Sequence, residues 1–565
     1  MQNAIIECVP NISEGRDSAK IKAIAEVVET VEGVRLLDID PGKATHRTVI
    51  TFVGSPEVVV EAAFRLIAKA AELIDMRQHR GEHPRFGATD VCPLIPISGI
   101  SIEETAMWAH KLGERVGREL GIPGYYYESA AKSAQRKNLA DCREGQYEGL
   151  PEKLIHPEWT PDFGPAEFND RVKTTGAVAI AARDFLVAYN VNLNTTSTRR
   201  ANAIAFDIRE AGRTKREGDP VTGKIVTDAK GEPVRIPGKL KAVKGIGWFI
   251  EEYGIAQISY NLTNLNITPI HIAFEESCKS AQQRGMRVTG SELVGLVPLQ
   301  AMLDAGTYFL HKQQRSSGVS EAELIKIAVK SLGLDDLAPF DPQEKIIEYK
   351  MRNKGIPLLA DKTLREFANE TASESPAPGG GSVSAYMGAM AASLGTMVAN
   401  LSAHKRGWDG RWKEFSDQAD KGQKIKDKLM FLVDEDTRAF ARIMDAFALP
   451  KDNESQKIAR RAAIDAATLY AAQIPLQTME AAIETFDLLE QMIHTGNPNS
   501  ITDAGVGVLA ARAAVLGARM NVRINAGSLP DGEEKTLILQ HADRMMQMAV
   551  QREKDLTAEV EEHLK

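Results

Sequence analysis

Cysteine is scarce. Four occur in 565 residues, at positions 8, 92, 142 and 278, with no C-x-x-C pair. Neither a disulfide framework nor a zinc ribbon fits that spacing, and a reducing compartment does. Long apolar runs are also missing. No stretch of 18 apolar residues occurs, so no membrane span is expected. The N-terminus, MQNAIIECVPNISEG, lacks the basic region that opens a signal peptide. Nor is there an excess of positive charge. With Lys and Arg numbering 69 against 77 Asp and Glu, the net charge of −8 argues against a general binder of nucleic acid or membrane surfaces. What remains is ordinary globular composition, 43% hydrophobic and 26% charged. The length predicts roughly two to four domains, and the expected location is cytoplasmic.

The first third alternates strand-like and helix-like segments. AIIECVP (4–10), VRLLDID (34–40), RTVITFVG (47–54) and TDVCPLIPIS (89–98) read as strands. Helical patterns run over about 18–30 and 56–73, the second with Pro56 at its start, where a missing N–H costs little. The order β-α-β-β-α-β is that of a ferredoxin-like split unit. A second unit of the same order starts near Val178. Between 340 and 362 the chain is charged and carries Pro and Gly, as a linker does. Beyond it, apolar positions recur at the helical period, with long patterns at about 383–401, 411–447, 454–489, 502–520 and 532–564. The expected architecture is two ferredoxin-like α/β subdomains, residues 1–177 and 178–339, a linker at 340–362, and a helical bundle domain at 363–565.

HRGEHPRFG (79–87) fits the zinc-peptidase pattern H-x-x-E-H. That pattern works because a helix places residues i and i+4 on one face. Here Gly81 lies between the histidines and Pro84 follows, at costs of about 1 and about 3 kcal/mol in a helix. Arg77, Arg80 and Arg85 would also repel a dication. A zinc metallohydrolase using His79 and His83 is therefore the runner-up. The segment reads better as a loop feeding a strand, a usual place for catalytic side chains.

The surrounding motifs identify a family. ECVPNISEG (7–15), LLDIDPG, HRTVITFVG, GEHPRFGATDVCPLIPISG (81–99), LPEKL (150–154), PDFGP (161–165) and LVGLVPL (293–299) together resemble glutamate formiminotransferase. APGGGSVSA (377–385) and LVDEDTRAFA (432–441) resemble formiminotetrahydrofolate cyclodeaminase. Their order and the chain length resemble the fused bifunctional enzyme of histidine degradation.

That resemblance implies transfer of the formimino group from N-formimino-L-glutamate to N5 of tetrahydrofolate. Closure to 5,10-methenyltetrahydrofolate with loss of ammonia would follow. It implies tetrahydrofolate, in polyglutamate form, as co-substrate, with no metal, and a homo-oligomer, in the family a ring-shaped octamer. It carries the transferase's catalytic histidine onto His83, whose imidazole exchanges protons near neutrality. Asp40 matches an aspartate near that site; without the resemblance it equally reads as an Asp opening a turn before Pro41. Folate contacts are expected from Gly164 through Pro165, Ala166, Glu167 and Phe168. Arg213 and Arg216 belong to a basic run that either attracts substrate carboxylates or forms a solvated helix face. The segment 218–233 reads as an inserted hairpin with little chemistry. In the helical half the resemblance carries the catalytic aspartate onto Asp436. Gly379, Gly380, Gly381 and Ser382 open a helix whose free N–H groups suit a polar ligand edge, though a Gly-rich stretch is often only a flexible joint. Asp503 is a secondary candidate for the folate pocket.

Overall fold

The computed structural model describes residues 4–42, 46–80, 85–218, 223–351, 358–375 and 377–565. They form two compact units, Met1–Met302 with Leu332–Arg352, and Leu303–Ser331 with Asn353–Lys565.

The first unit holds two sheets of the same strand order. In the first, Arg35–Gly42 pairs with Arg47–Gly54, then Ile5–Cys8 continued by Asn11–Ile12, then Thr89–Ser98, all antiparallel. Counted along the chain, the order is second, third, first, fourth, as a ferredoxin-like unit requires. Val178–Ala182 and Gly124–Glu128 extend this sheet in parallel. The strand at 178–182 therefore belongs to the first sheet, not to the second subdomain as expected. Its run VAIAA is buried throughout, as a strand between two others and covered on both faces should be.

Alternation sets the two faces of this sheet. Ile6, Cys8, Ile50, Phe52, Cys92 and Leu94 pack beneath the helices Ser18–Glu29, Pro56–Leu73 and Ile102–Arg115. Glu7, Val9, Val49, Thr51 and Ile95 face the other way and line a cavity. Local signals start the helices: Asp17 accepts from the N–H groups of Ala19 and Lys20, and Ser101 with Glu104 forms a capping box.

The second sheet runs Val243–Ile250, Ile255–Leu262, Val187–Leu193, Val288–Val294, again second, third, first, fourth, and antiparallel throughout. Tyr189 and Tyr260 are register neighbours, and the Tyr260 hydroxyl meets Ser277 of the helix Ile270–Gln282 at 2.9 Å. The odd-numbered side chains of Val187–Leu193 thus face the helices, and Ala188 faces the cavity. Residues 342–351, expected as linker, are part of this unit. Ile346 and Ile347 are fully buried, and a Glu348 carboxylate oxygen accepts from Leu299 N at 2.8 Å.

The second unit is a bundle built around the helices Gly380–Ala403, Trp412–Ala448, Glu454–Thr495, Ile501–Gly527 and Glu533–His563. The helix ends lie within a few residues of the periodicity, except that Glu454–Thr495 and Ile501–Gly527 each run several residues longer. Small residues set the spacing: a β-carbon at Gly422 would come within 2.0 Å of the Thr396 hydroxyl. Gly380–Ala403 and Pro498–Gly527 are long and apolar enough to cross a membrane, which a count of unbroken apolar runs misses. Both pack inside the bundle, with 61% and 50% of their most apolar windows buried.

Candidate active sites

The motif ECVPNISEG runs from a cavity wall into a clamp. Glu7, Asp38, Asp40, Thr51 and Arg183 bring three carboxyl groups and one guanidinium to a cavity of about 270 Å³, closed on its far side by Ala188, Val294 and Leu296. Glu7 is 2% exposed. Burial pushes its carboxyl up to about 7, with Arg183 pulling it down and Glu348 pushing it further up. Asp40 is exposed at this cavity, at a strand position opposite Val49.

Next along the motif, Ser13 grips the strand-feeding loop: its N–H donates to Ala88 O at 2.9 Å and its hydroxyl to Gly87 O at 2.7 Å. The Glu14 carboxylate accepts from the N–H groups of Gly15, Arg16 and Asp17, at 3.0, 3.0 and 3.1 Å. Gly15 also donates to His46 Nδ1 at 3.1 Å. A β-carbon at Gly15 would lie 2.4 Å from Gly42 O and 2.6 Å from Arg47 N, so only glycine lets these backbones meet.

His46 stacks on His79, ring centroids 4.4 Å apart. His79 Nε2 lies 2.9 Å from His46 O. A carbonyl only accepts, so Nε2 carries the proton, and Nδ1 accepts from Arg85 Nε at 3.2 Å. Both ring nitrogens are committed, leaving no lone pair for a metal. Burial also holds the ring below its usual pKa, against the bond to the His46 carbonyl, which pulls the other way, and with the charge of Arg85 pressing the same way as burial. Residues 79–80 are not helical, so the spacing that makes H-x-x-E-H a zinc site is absent at its first histidine. His79 is a brace. Arg85 in turn forms a two-pronged ion pair with Glu148, at 2.8 and 2.9 Å. Glu82 and His83 lie outside the described residues; the residues described on either side, His79 and Arg85, are bonded to each other.

The segment expected to meet folate starts at Gly164, in the left-handed region at φ +77, where a β-carbon would lie 2.3 Å from Ile122 O. Pro165 and Phe168 are half-buried; Ala166 and Glu167 are exposed. Phe168 packs against Tyr147 with centroids 6.1 Å apart, and Tyr147 N donates to Arg85 O at 3.0 Å. The segment is thereby tied to the histidine loop. Arg213 and Arg216 do not join this cavity. They line a pocket beside the helix Thr198–Ile208, on the face of the second sheet opposite Ala188.

In the bundle, the glycine-rich stretch and the acidic run converge. Asp436 Oδ2 accepts from Ser382 N at 2.9 Å and from its hydroxyl at 3.1 Å, supplying a partner that the first turn of a helix lacks. Burial pushes the Asp436 carboxyl above its usual range, and the two Ser382 bonds pull the other way. Its neighbours do structural work. Asp434 accepts from Leu359 N and Ala360 N, at 2.6 and 3.3 Å. Glu435 is buried against Arg438, Arg442 and the Tyr470 hydroxyl. Asp436 alone of the three reaches the pocket, about 150 Å³ in volume, with Gly379, Gly380, Gly381, Thr437 and Phe440.

Asn521 and Asn525 complete that pocket. The sequence reading missed both, though two asparagines four apart in an Ala-rich helix are a signal of a polar stripe. Asp503, the secondary candidate, does not line it. It precedes Asn521 by 18 residues on the same helix, roughly 27 Å along the axis. Among the described residues no group of three or more His, Cys, Asp and Glu is placed to hold a metal ion.

Three family models match the chain: the formiminotransferase domain's N-terminal subdomain over residues 5–183, the formiminotransferase domain over 188–352, and formiminotransferase-cyclodeaminase over 363–544. The mouse formimidoyltransferase-cyclodeaminase is 41% identical over 535 residues, 94% of each chain. The glutamate formimidoyltransferase of Streptococcus pyogenes is 40% identical over 306 residues, 54% of this chain and 93% of that one. A methenyltetrahydrofolate cyclohydrolase of Methylorubrum extorquens is 36% identical over 174 residues, 31% of this chain and 84% of its own. A solved formiminotetrahydrofolate cyclodeaminase from Thermotoga maritima aligns with 36% of this chain and 96% of its own, at 25% identity and a TM-score of 0.31. With near-complete, two-part coverage of this kind, the chain belongs to the formimidoyltransferase-cyclodeaminase family.

Proposed function

We infer that this protein is a bifunctional folate enzyme. It moves the formimino group of N-formimino-L-glutamate to N5 of tetrahydrofolate, then cyclises the product to 5,10-methenyltetrahydrofolate and releases ammonia. The observation that carries this reading is the 41% identity over 94% of both chains to an enzyme that bears both activities in its name.

In the first reaction N5 attacks the formimino carbon, loses its proton, and the glutamate nitrogen leaves with one. His83 is the group we assign to both transfers, since one imidazole can take and return a proton at neutral pH. The Asp38 and Asp40 carboxylates give the cavity the negative character that suits an amidinium, the cationic form of the formimino group. In the second reaction N10 attacks the same carbon, a five-membered ring closes, and the former imino nitrogen departs as ammonia. Asp436 takes the N10 proton and passes it to the leaving nitrogen. Its raised pKa brings the carboxyl closer to neutrality, which eases both halves of that exchange. Polyglutamate folate is the co-substrate form in this reading, and neither reaction requires a metal.

The test follows methenyltetrahydrofolate absorbance with tetrahydrofolate and formiminoglutamate supplied to wild type, His83→Ala and Asp436→Ala. Wild type should form the product. His83→Ala should make no formiminotetrahydrofolate, and Asp436→Ala should accumulate it without closing the ring. A wild type silent until zinc is added would overturn the reading.

A further inference from the structure

The formimino donor carries charge of both signs, an amidinium at its reacting end and a side-chain carboxylate at the other. The transferase cavity carries the opposite charges. Asp38 and Asp40 stand on the strand Arg35–Gly42, and Arg183 is the sole cation among the described residues that line the cavity. Strand order keeps them apart. Arg47–Gly54 and Ile5–Cys8 lie between Arg35–Gly42 and Thr89–Ser98. Arg183 is fastened to the last of these, its N–H donating to Leu94 O at 3.1 Å. Three strand spacings put roughly 14 Å between the two backbones, and side chains entering from each end shorten that span. A volume of about 270 Å³ suits a molecule of amino-acid size rather than a whole folate. Phe185, Leu186 and Leu296 add apolar lining for its methylene groups.

The Arg183 guanidinium is underused. Its Nη1 donates to Asp184 O at 3.0 Å, and among the described residues it makes no other hydrogen bond and has no carboxylate within 4.0 Å. The adjacent Asp184 carboxylate is turned to Asn264 Nδ2, at 2.6 Å. Glu7 and Glu128 feel the charge of Arg183 without bonding it. Glu7 is 2% exposed, lines the same cavity and accepts no hydrogen bond from the described residues. Burial pushes its carboxyl up to about 7, so near neutrality it gives Arg183 only part of a countercharge. A partly buried guanidinium with free donors is ready for a carboxylate brought by a ligand.

We propose that Arg183 is a specificity-determining residue of the transferase, binding the side-chain carboxylate of the formimino donor while Asp38 and Asp40 face its amidinium. The assignment rests on the transferase reading above and deepens it. It accounts for selection of a glutamate donor: a donor whose far end is neutral leaves the guanidinium unpaired, and a shorter one does not reach it.

Calorimetric titration of the full chain with L-glutamate and L-glutamine tests this without either enzymatic activity, because both carry a cation for the aspartate end and differ at the other. Wild type should bind glutamate at least tenfold more tightly than glutamine. Arg183→Met should bring the two affinities within twofold of each other, chiefly by weakening glutamate. Arg183→Lys, which keeps the charge without the fork, should retain part of the preference, as a merely structural role would not allow. Kinetics with N-formimino-L-glutamate and N-formimino-L-glutamine give the second reading. In Arg183→Met the KM of the glutamate donor should rise at least tenfold, with the KM of tetrahydrofolate within twofold of wild type. A wild type that binds both amino acids equally, an Arg183→Met that keeps the preference, or equal weakening of both ligands by both variants would overturn the proposal. Selective glutamate binding by a wild type that transfers from neither donor would sink the transferase reading and leave the carboxylate contact standing.

Discussion

A β-carbon on Gly381 would sit 2.1 Å from Oδ1 of Asp436 and 2.5 Å from its carboxyl carbon. Gly381 therefore faces the carboxylate that we assign to ring closure, with no room for a single methyl. Gly381→Ala should cut cyclisation at least a hundredfold, because the aspartate must turn away from Ser382 to make room. Formimino transfer, built from other residues, should stay within twofold. Assaying the two half-reactions separately checks this; a Gly381→Ala enzyme that cyclises normally would mean Asp436 works from another orientation.

Ser382→Ala makes a finer test. The backbone N–H still reaches Asp436, but the hydroxyl bond at 3.1 Å is gone. That bond stabilises the charged carboxylate, so losing it raises the Asp436 pKa further. With the carboxylate as base, the acid limb of the cyclisation pH profile should move to higher pH. A profile that does not shift would argue that Asp436 is not the group titrating in it.

Glu7→Gln tests burial of a carboxyl in the transferase cavity. Glu7 has a folded-state pKa of about 7, above its ordinary 4.5, so the folded chain holds this proton more tightly than the unfolded one. The stabilisation is complete below about pH 4.5 and is lost as pH rises through 7. Wild type should therefore lose stability relative to Glu7→Gln between those values, and the variant should be the more stable at pH 8. Melting temperatures of the two proteins across that range decide it, and parallel curves would place Glu7 in contact with a cation.

His79→Ala removes an acceptor for Arg85 and a donor to His46 O. Leaving buried groups unsatisfied should cost about 1–3 kcal/mol. Transferase activity should fall with the loss of the brace, and zinc should restore none of it. Prolonged dialysis of wild type against a chelator should leave both activities in place. Chelator-induced loss with recovery on adding zinc would revive the metal reading.

Local pattern carried most of the fold. RTVITFVG and TDVCPLIPIS each became a strand with the expected limits, because β-branched alternation and flanking Gly or Pro settle such segments locally. The sites were legible only where one segment holds the answer. Three consecutive acids must point in different directions, but which one meets a ligand depends on where Ser382 lies, 54 residues earlier. Motif resemblance supplied Asp436; spacing could not. Glu7 was hidden because its face of the strand is buried only once the second sheet is in place. For Arg213 and Arg216 the basic run shows charge but not the side of the sheet it will occupy: they line a separate pocket beside the helix Thr198–Ile208. Residues 342–351 looked like a tether, and Ile346 and Ile347, both fully buried, were the apolar signal inside it.

The run Asp434, Glu435, Asp436 carries a further consequence, for insertions and deletions. Each acid serves a different neighbour: the backbone at Leu359, the Tyr470–Arg438–Arg442 cluster, and Ser382. One residue gained or lost earlier in the helix Trp412–Ala448 turns all three by about 100° and advances them by about 1.5 Å. Substitutions could then restore an acid at one position, but the three tasks would have to be reassigned together. This stretch of helix can drift in sequence far more easily than in length.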